Sequence, residues 1–227
     1  MGLLDDLKKQ AEMLKTQQNV QQTVNVDRIK LVEDKMRQTF QYTNELLKQL
    51  AVLKPTSPLT FAIEGVANWK GLGFTESFID YRRKRIGDKE HFDTINFYIK
   101  WSTADTLVIE RDMPPAAQKI RESLYASKVK FAEEEKKNTK GFVIGAKFTI
   151  PVAVITDVLI KADHDEGRLL VQAKNLTGLG MEHFTVPAPE INDELLEEFA
   201  RTLIGQPSKF NKFRSAGPVS GVPSRGP

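Results

Sequence analysis

The sequence has no cysteine, so it can form no disulfide, thiolate nucleophile or cysteine-ligated metal site. A reducing compartment fits that composition. Histidine is scarce: His91, His164 and His183 are the three present. None stands in a His-Glu-x-x-His spacing, which would set two imidazoles on one helix face. No run approaches the ~20 apolar residues that a membrane-spanning helix needs. Asp5 and Asp6 stand where a secretory signal would carry positive charge, and no apolar core follows them. Met1-Gly2 resembles a myristoylation start, but Asp6 occupies the place of the expected serine or threonine. A cytoplasmic protein is therefore expected. Phosphate-loop and serine-hydrolase signatures are missing too. Gly71-Leu72-Gly73 lacks a third glycine, and Gly178-Leu179-Gly180 leads into no helical pattern.

A strong charge of one sign is also lacking. The formal net charge is +3 over 227 residues. Residues 1–54 hold 9 bases and 7 acids, residues 55–204 hold 20 and 23, and residues 205–227 hold 4 and 0. The excess base thus sits in the tail, and a basic overall balance argues little for nucleic-acid binding.

What is present is a long 3,4 stripe: Ile29, Val32, Met36, Thr39, Thr43, Leu46, Leu50 and Leu53. That spacing predicts a helix of on the order of 43 Å, packed along its length against another helix. Ile29, Val32, Met36, Leu46, Leu50 and Leu53 are the candidate partner-binding residues. An earlier stripe, Leu4, Leu7, Ala11 and Leu14, predicts a first helix over 3–18. Its register reaches Asn25 and Arg28 rather than Ile29, so a break near Asn25 or Asp27 is expected in place of one helix with a phase defect. Pro55 and Pro58 end the helical region.

The period then changes. Phe61 to Ile63, Phe74 to Arg83, Ile95 to Trp101 and Thr106 to Glu110 read as four strands; Ile95, Phe97, Ile99 and Trp101 alternate cleanly with polar neighbours. Asp112 with Pro114 and Pro115 opens a helix. Strand text resumes at Lys128, with Glu133–Gly141 as a polar hairpin tip. Phe142 to Ile150, Val152 to Ile160 and Leu169 to Val171 follow, and then a helix from Asn192 to Ile204 with Gly205 as its left-handed end. The expectation is an α+β fold of about eight mostly antiparallel strands, arranged as two ββββα halves behind an N-terminal helical arm or hairpin. The expected divisions are an arm at 1–54, a domain at 55–205 and a disordered basic tail at 206–227.

Among polar clusters, Asp163-His164-Asp165-Glu166 places its groups consecutively. Such groups point to different sides, so a solvated turn is the expectation rather than a cation site. Glu133–Glu135 and Glu197-Glu198 read as solvated charge. Arg82, Arg83, Lys84 and Arg85, next to Tyr81, form the candidate anion-binding run. Guanidinium groups suit phosphate and a ring can stack on a base, while the same charges can simply guard a sheet edge. Ile95, Phe97, Ile99, Trp101, Phe142, Ile144 and Phe148 could line a hollow for an apolar ligand, although a close-packed core is the stronger expectation. No constellation carries a catalytic role, and no metal or cofactor is expected. The functional expectation is a non-enzymatic interaction protein that self-associates or docks a partner through the N-terminal helices, with nucleic-acid binding and apolar-ligand binding as the alternatives.

Overall fold

The computed structural model describes residues 3–215, and within the first helix it describes the side chains of Glu12, Met13 and Thr23 onward. Among the described residues the architecture is α+β, with three α-helices and eight strands in antiparallel sheets.

The first helix, α1, is continuous from Leu3 to Leu53. The expected break near Asn25 does not occur. The stretch Gln17–Val24 weakens the apolar pattern but contains neither glycine nor proline, and glutamine propagates a helix well. The helix ends where Lys54 turns left-handed (φ 45°) just before Pro55.

Two short strands, β1 (Phe61–Ile63) and β2 (Ala67–Trp69), form a separate ribbon. The main sheet begins with β3 (Gly73–Ile86) and β4 (Lys89–Arg111), and α2 (Pro114–Ala126) follows. After β5 (Ala132–Lys137), β6 (Val143–Asp163), β7 (Arg168–Lys174) and β8 (Met181–Pro187), the chain reaches α3 (Asp193–Leu203). The strand order is β3-β4-β6-β7-β8, with β5 pairing beside β6.

The count of eight agrees with the expectation, but the partition differs. Ile95–Trp101 and Thr106–Glu110 are halves of one strand, as are Phe142–Ile150 and Val152–Ile160. The ladder between β4 and β6 breaks where Ser102 to Thr106 faces Ala153 to Pro151. Proline has no donor for a ladder, so it sits where pairing lapses and the strands carry on beyond it. Met181, Glu182 and His183 open β8, while Gly178 to Gly180 stay in the turn before it. Asp112 does not cap α2; Met113 takes that position without a side-chain bond, and Asp112 accepts from Lys136 Nζ at 2.7 Å.

One face of the sheet is apolar. Ile95, Phe97, Ile99 and Trp101 of β4 join Phe148, Ile150, Val158 and Ile160 of β6 and Val171 and Phe184 of β7 and β8. Val32, Met36, Leu47 and Leu50 of α1 and Leu196, Phe199 and Leu203 of α3 cover that face. Asn192 caps α3, its side chain accepting from Leu195 N at 2.9 Å.

Composition placed residues 206–215 in the tail, yet they fold onto the domain. Phe210 and Phe213 are buried, and the Phe210 ring lies 4.8 Å from Phe199 and 5.1 Å from Phe184. Two aromatic anchors outweigh the local glycine, proline and serine. Residues 216–227 of the expected tail lie outside the described residues. Replacing Phe210 with Ala is expected to cost about 3 kcal/mol of unfolding free energy in a urea titration. A change under about 0.5 kcal/mol, typical of exposed positions, would show that this segment is not part of the core.

Candidate functional site

The stripe on α1 is where structure and pattern first part company. Val32, Met36 and Leu50 are buried on the sheet, Ile29 and Leu46 are half-buried, and Leu53 is 72% exposed. The buried series runs Val32, Met36, Thr39, Thr43, Leu47, Leu50. It advances eighteen residue steps in five turns, the 3.6-residue period of a straight helix. The sequence stripe that ends on Leu46 and Leu53 has the shorter heptad period instead. A straight helix lying on a sheet drifts away from a heptad, so Leu47 takes the inward place expected of Leu46, and Leu53 turns to solvent. Thr39 Oγ1 is satisfied by the Lys35 carbonyl at 2.8 Å.

A polar clasp fastens the same helix. Glu33, next to Val32 on the seated side, is buried, and its Oε2 accepts from the Phe92 backbone N at 2.7 Å. The Phe92 carbonyl, on the other side of that residue, lies 2.8 Å from His164 Nε2. A carbonyl only accepts, so Nε2 carries the proton and Nδ1 holds a bare lone pair. That Nδ1 is buried with no hydrogen-bond partner, as is the Nδ1 of His91. The two imidazoles meet edge-on at 5.7 Å, and His91 Nδ1 stands 3.7 Å from Glu33 Oε2. Arg37 pairs with Glu33 at 3.3 Å, and Lys84 pairs with Asp93 at 3.5 Å beside the cluster. Arg28 donates to the Asp165 carbonyl in the same turn. His164 therefore does not sit in a solvated turn as expected: it is 3% exposed and turns inward. The clasp unites α1, the start of β4 and the β6–β7 turn. Sequence spacing hid it, although an acid adjoining the apolar stripe was a signal, because a buried carboxylate demands a partner.

Burial pushes the His164 imidazole below its ordinary value; the Phe92 hydrogen bond opposes that, and the charges of Lys84 and His91 assist it.

The basic run lies on β3, the terminal strand of the sheet. Its members do not act as one patch. Arg83 stacks over the rings of Phe92 and Tyr81 at 5.2 and 5.8 Å. Arg85 reaches Asp88 at 3.8 Å. Arg82 and Lys84 border a hollow of ≈ 300 Å³ that Lys161, Asp80 and Asp93 also line, so the cations there are mixed with acids. Another hollow, of ≈ 490 Å³, lies between the end of α2 and the β7–β8 turn and mixes Glu64 and Glu122 with Lys128 and Lys174. Of the residues considered for an apolar-ligand hollow, Ile95, Phe97, Ile99, Trp101 and Phe148 are close-packed core, while Phe142 and Ile144 are exposed. Between α1, α3 and the sheet a gap of ≈ 20 Å³ remains. Among the described residues no group of three or more histidines and acids is placed to hold a metal, and no helix is long and apolar enough to cross a membrane.

The clasp makes stability depend on pH. The unfolded chain takes up the His164 proton at about pH 6.5, above the native value. Native stability is thus complete above that pH and falls as pH drops through it, until the native imidazole itself titrates. Thermal unfolding of wild type should show a falling Tm below about pH 6.5, and His164→Phe should flatten that slope while costing about 1–3 kcal/mol at neutral pH for the stranded Phe92 carbonyl. An unchanged slope in the variant would contradict the assignment.

Compared with known proteins, the chain matches no family model, no curated protein and no solved structure.

Proposed function

We propose that the chain is a non-enzymatic interaction protein that pairs with a second copy through the part of α1 preceding Arg28. The observation that carries this reading is the length of α1 against the length of its seat. The helix runs from Leu3 to Leu53, while the buried series on the sheet runs from Val32 to Leu50 and the Arg28 bond to Asp165 lies at its near end. About 25 residues, on the order of 37 Å of helix, precede Arg28. The side chains described there face solvent: Met13 is 67% exposed, and Val24 and Val26 are exposed as well.

A helix of that length gains little from propensity alone and becomes stable when an apolar face is covered. The sequence supplies such a face at Leu4, Leu7, Ala11 and Leu14, side chains that lie outside the described ones. A second copy offers the same stripe, so a two-fold pair is self-complementary. The charges over these turns, Asp5, Asp6 and Glu12 with Lys8, Lys9 and Lys15, balance three against three, which spares two copies a net repulsion. The stripe at Ile29 to Leu50, first expected to make this contact, is committed to the sheet. The pairing therefore moves toward the start of the helix.

Multi-angle light scattering of the full chain should give twice 25.6 kDa. Leu7→Asp with Leu14→Asp should return one chain mass with an unchanged urea midpoint. Leu50→Asp should instead lower the midpoint and leave the pairing surface intact. A wild-type monomer, or a double mass that survives both arm substitutions, would overturn the proposal.

A further inference from the structure

The hairpin joining β5 to β6 outruns the sheet. β6 pairs with β4 only from Ala146 onward, where Ala146 faces Arg111. Closer to the tip it pairs with β5 alone, through Lys136↔Gly145 and Lys137↔Val143. The tip is tightly made. Asn138 Oδ1 accepts from the backbone N of Lys140 and of Phe142, each at 3.0 Å. Asn138 N donates to the Phe142 carbonyl at 2.9 Å, and Gly141 N donates to the Asn138 carbonyl at 2.9 Å. At its base, Gly145 runs so close to β4 that a Cβ would collide with the Arg111 carbonyl and stand 2.9 Å from Asp112 Cα. The ribbon is braced at both ends.

This braced tip displays apolar side chains. Phe142 is 66% exposed, Val143 45% and Ile144 38%. Strict alternation would hide every second residue, but Ile144 is the extra residue of a bulge between the two hairpin pairs, and a bulge re-aims its neighbours. Lysine surrounds these residues: positions 136–147 contain Lys136, Lys137, Lys140 and Lys147 and no acid. Lys136 is held by Glu110 and Asp112, and Lys137 by Glu135. Among the described residues none pairs with the Lys140 ammonium, and Lys140 lies two residues before Phe142 in the tip.

We propose that this tip inserts into the surface of an anionic lipid bilayer. A projecting ribbon with an apolar end needs a surface that yields, which a bilayer supplies. Three strand residues rise about 10 Å, and the headgroup–acyl boundary where interfacial segments settle lies at about 5–10 Å. An aromatic ring is at home at that level, and lysines close behind it meet lipid phosphate. Glu133, Glu134 and Glu135 lie farther back on β5, opposite Phe148, Lys147 and Ala146. Glu133 is paired with Arg121 and Glu135 with Lys137, so these acids do not oppose the approach of the tip with their full charge. This contact is independent of the α1 pairing, because it uses another end of the molecule.

The test is co-sedimentation of the full chain with vesicles of phosphatidylcholine containing phosphatidylserine, and with vesicles of phosphatidylcholine alone. The wild type should bind the first and not the second, and binding should weaken as salt rises. Phe142→Ser should lower the partition coefficient on the order of tenfold and Lys140→Ala about fivefold. Val52→Ser, at another exposed apolar position, should change nothing. Far-UV circular dichroism verifies that each variant is folded, and Ile144→Ser gives a second reading of the apolar end. Failure of the wild type to bind the anionic vesicles, or binding by Phe142→Ser and Ile144→Ser as strong as that of the wild type, would overturn the proposal. A fall in solution mass with Phe142→Ser would also overturn it and assign the tip to contact between proteins.

Discussion

The backbone of Phe92 is held from both sides, its N–H by Glu33 of α1 and its carbonyl by His164 of the β6–β7 turn. Through that one residue the first helix, the start of β4 and the far end of β6 become a single rigid corner. The apolar contacts of Val32, Met36, Leu47 and Leu50 are non-directional and would tolerate a slide of α1 along the sheet. The clasp does not tolerate one, because a helix displaced by one turn would leave a carboxylate and an amide buried without partners. Hydrophobic burial thus supplies the bulk of the attraction, and the Phe92 bonds fix the register at which it acts.

The fixed register has a consequence at each end of α1. Toward its end, the 3.6-residue series leaves Leu53 exposed, and Lys54 and Pro55 turn the chain toward the start of β3, where Phe74 N donates to the Pro55 carbonyl at 2.8 Å. Toward its start, the seat stops near Arg28 while the helix is set at its first described residue, Leu3. The domain holds one half of the helix like a clamp and presents the other half at a defined direction. On this account the sheet is the base for two projections, an α-helical one and the β5–β6 tip, each carrying apolar side chains that the core does not use.

Much of this order was legible in the residues. Ile95, Phe97, Ile99 and Trp101 alternate because one face of β4 is core and the other is not, and the α3 stripe with its Asn192 cap and Gly205 follows from helix geometry. The last described turn was not legible, since Phe210 and Phe213 sit among residues whose composition suits a loop. The long strands were divided at Ala104-Asp105 and Pro151 because a local reading cannot see that two irregularities face each other across a ladder. The clasp was hidden for a different reason. Glu33, His91 and His164 are far apart in sequence and come together only through the pairing of Thr94 with Lys161 and the seating of α1. The heptad stripe misled in an informative way: a 3,4 pattern shows that one side of a helix is covered, and the drift of the buried positions shows that the cover is a sheet.

The central claim is that α1 is one helix with two kinds of support, the sheet behind residues 29–50 and a second chain ahead of Arg28. Amide hydrogen exchange along α1, followed as a function of protein concentration, measures both supports at once. The account predicts slow exchange at 29–50 at every concentration and protection at 3–24 that grows as the protein is concentrated. Protection ahead of Arg28 that ignores concentration, or exchange at 29–50 as fast as in an isolated helix, would contradict it.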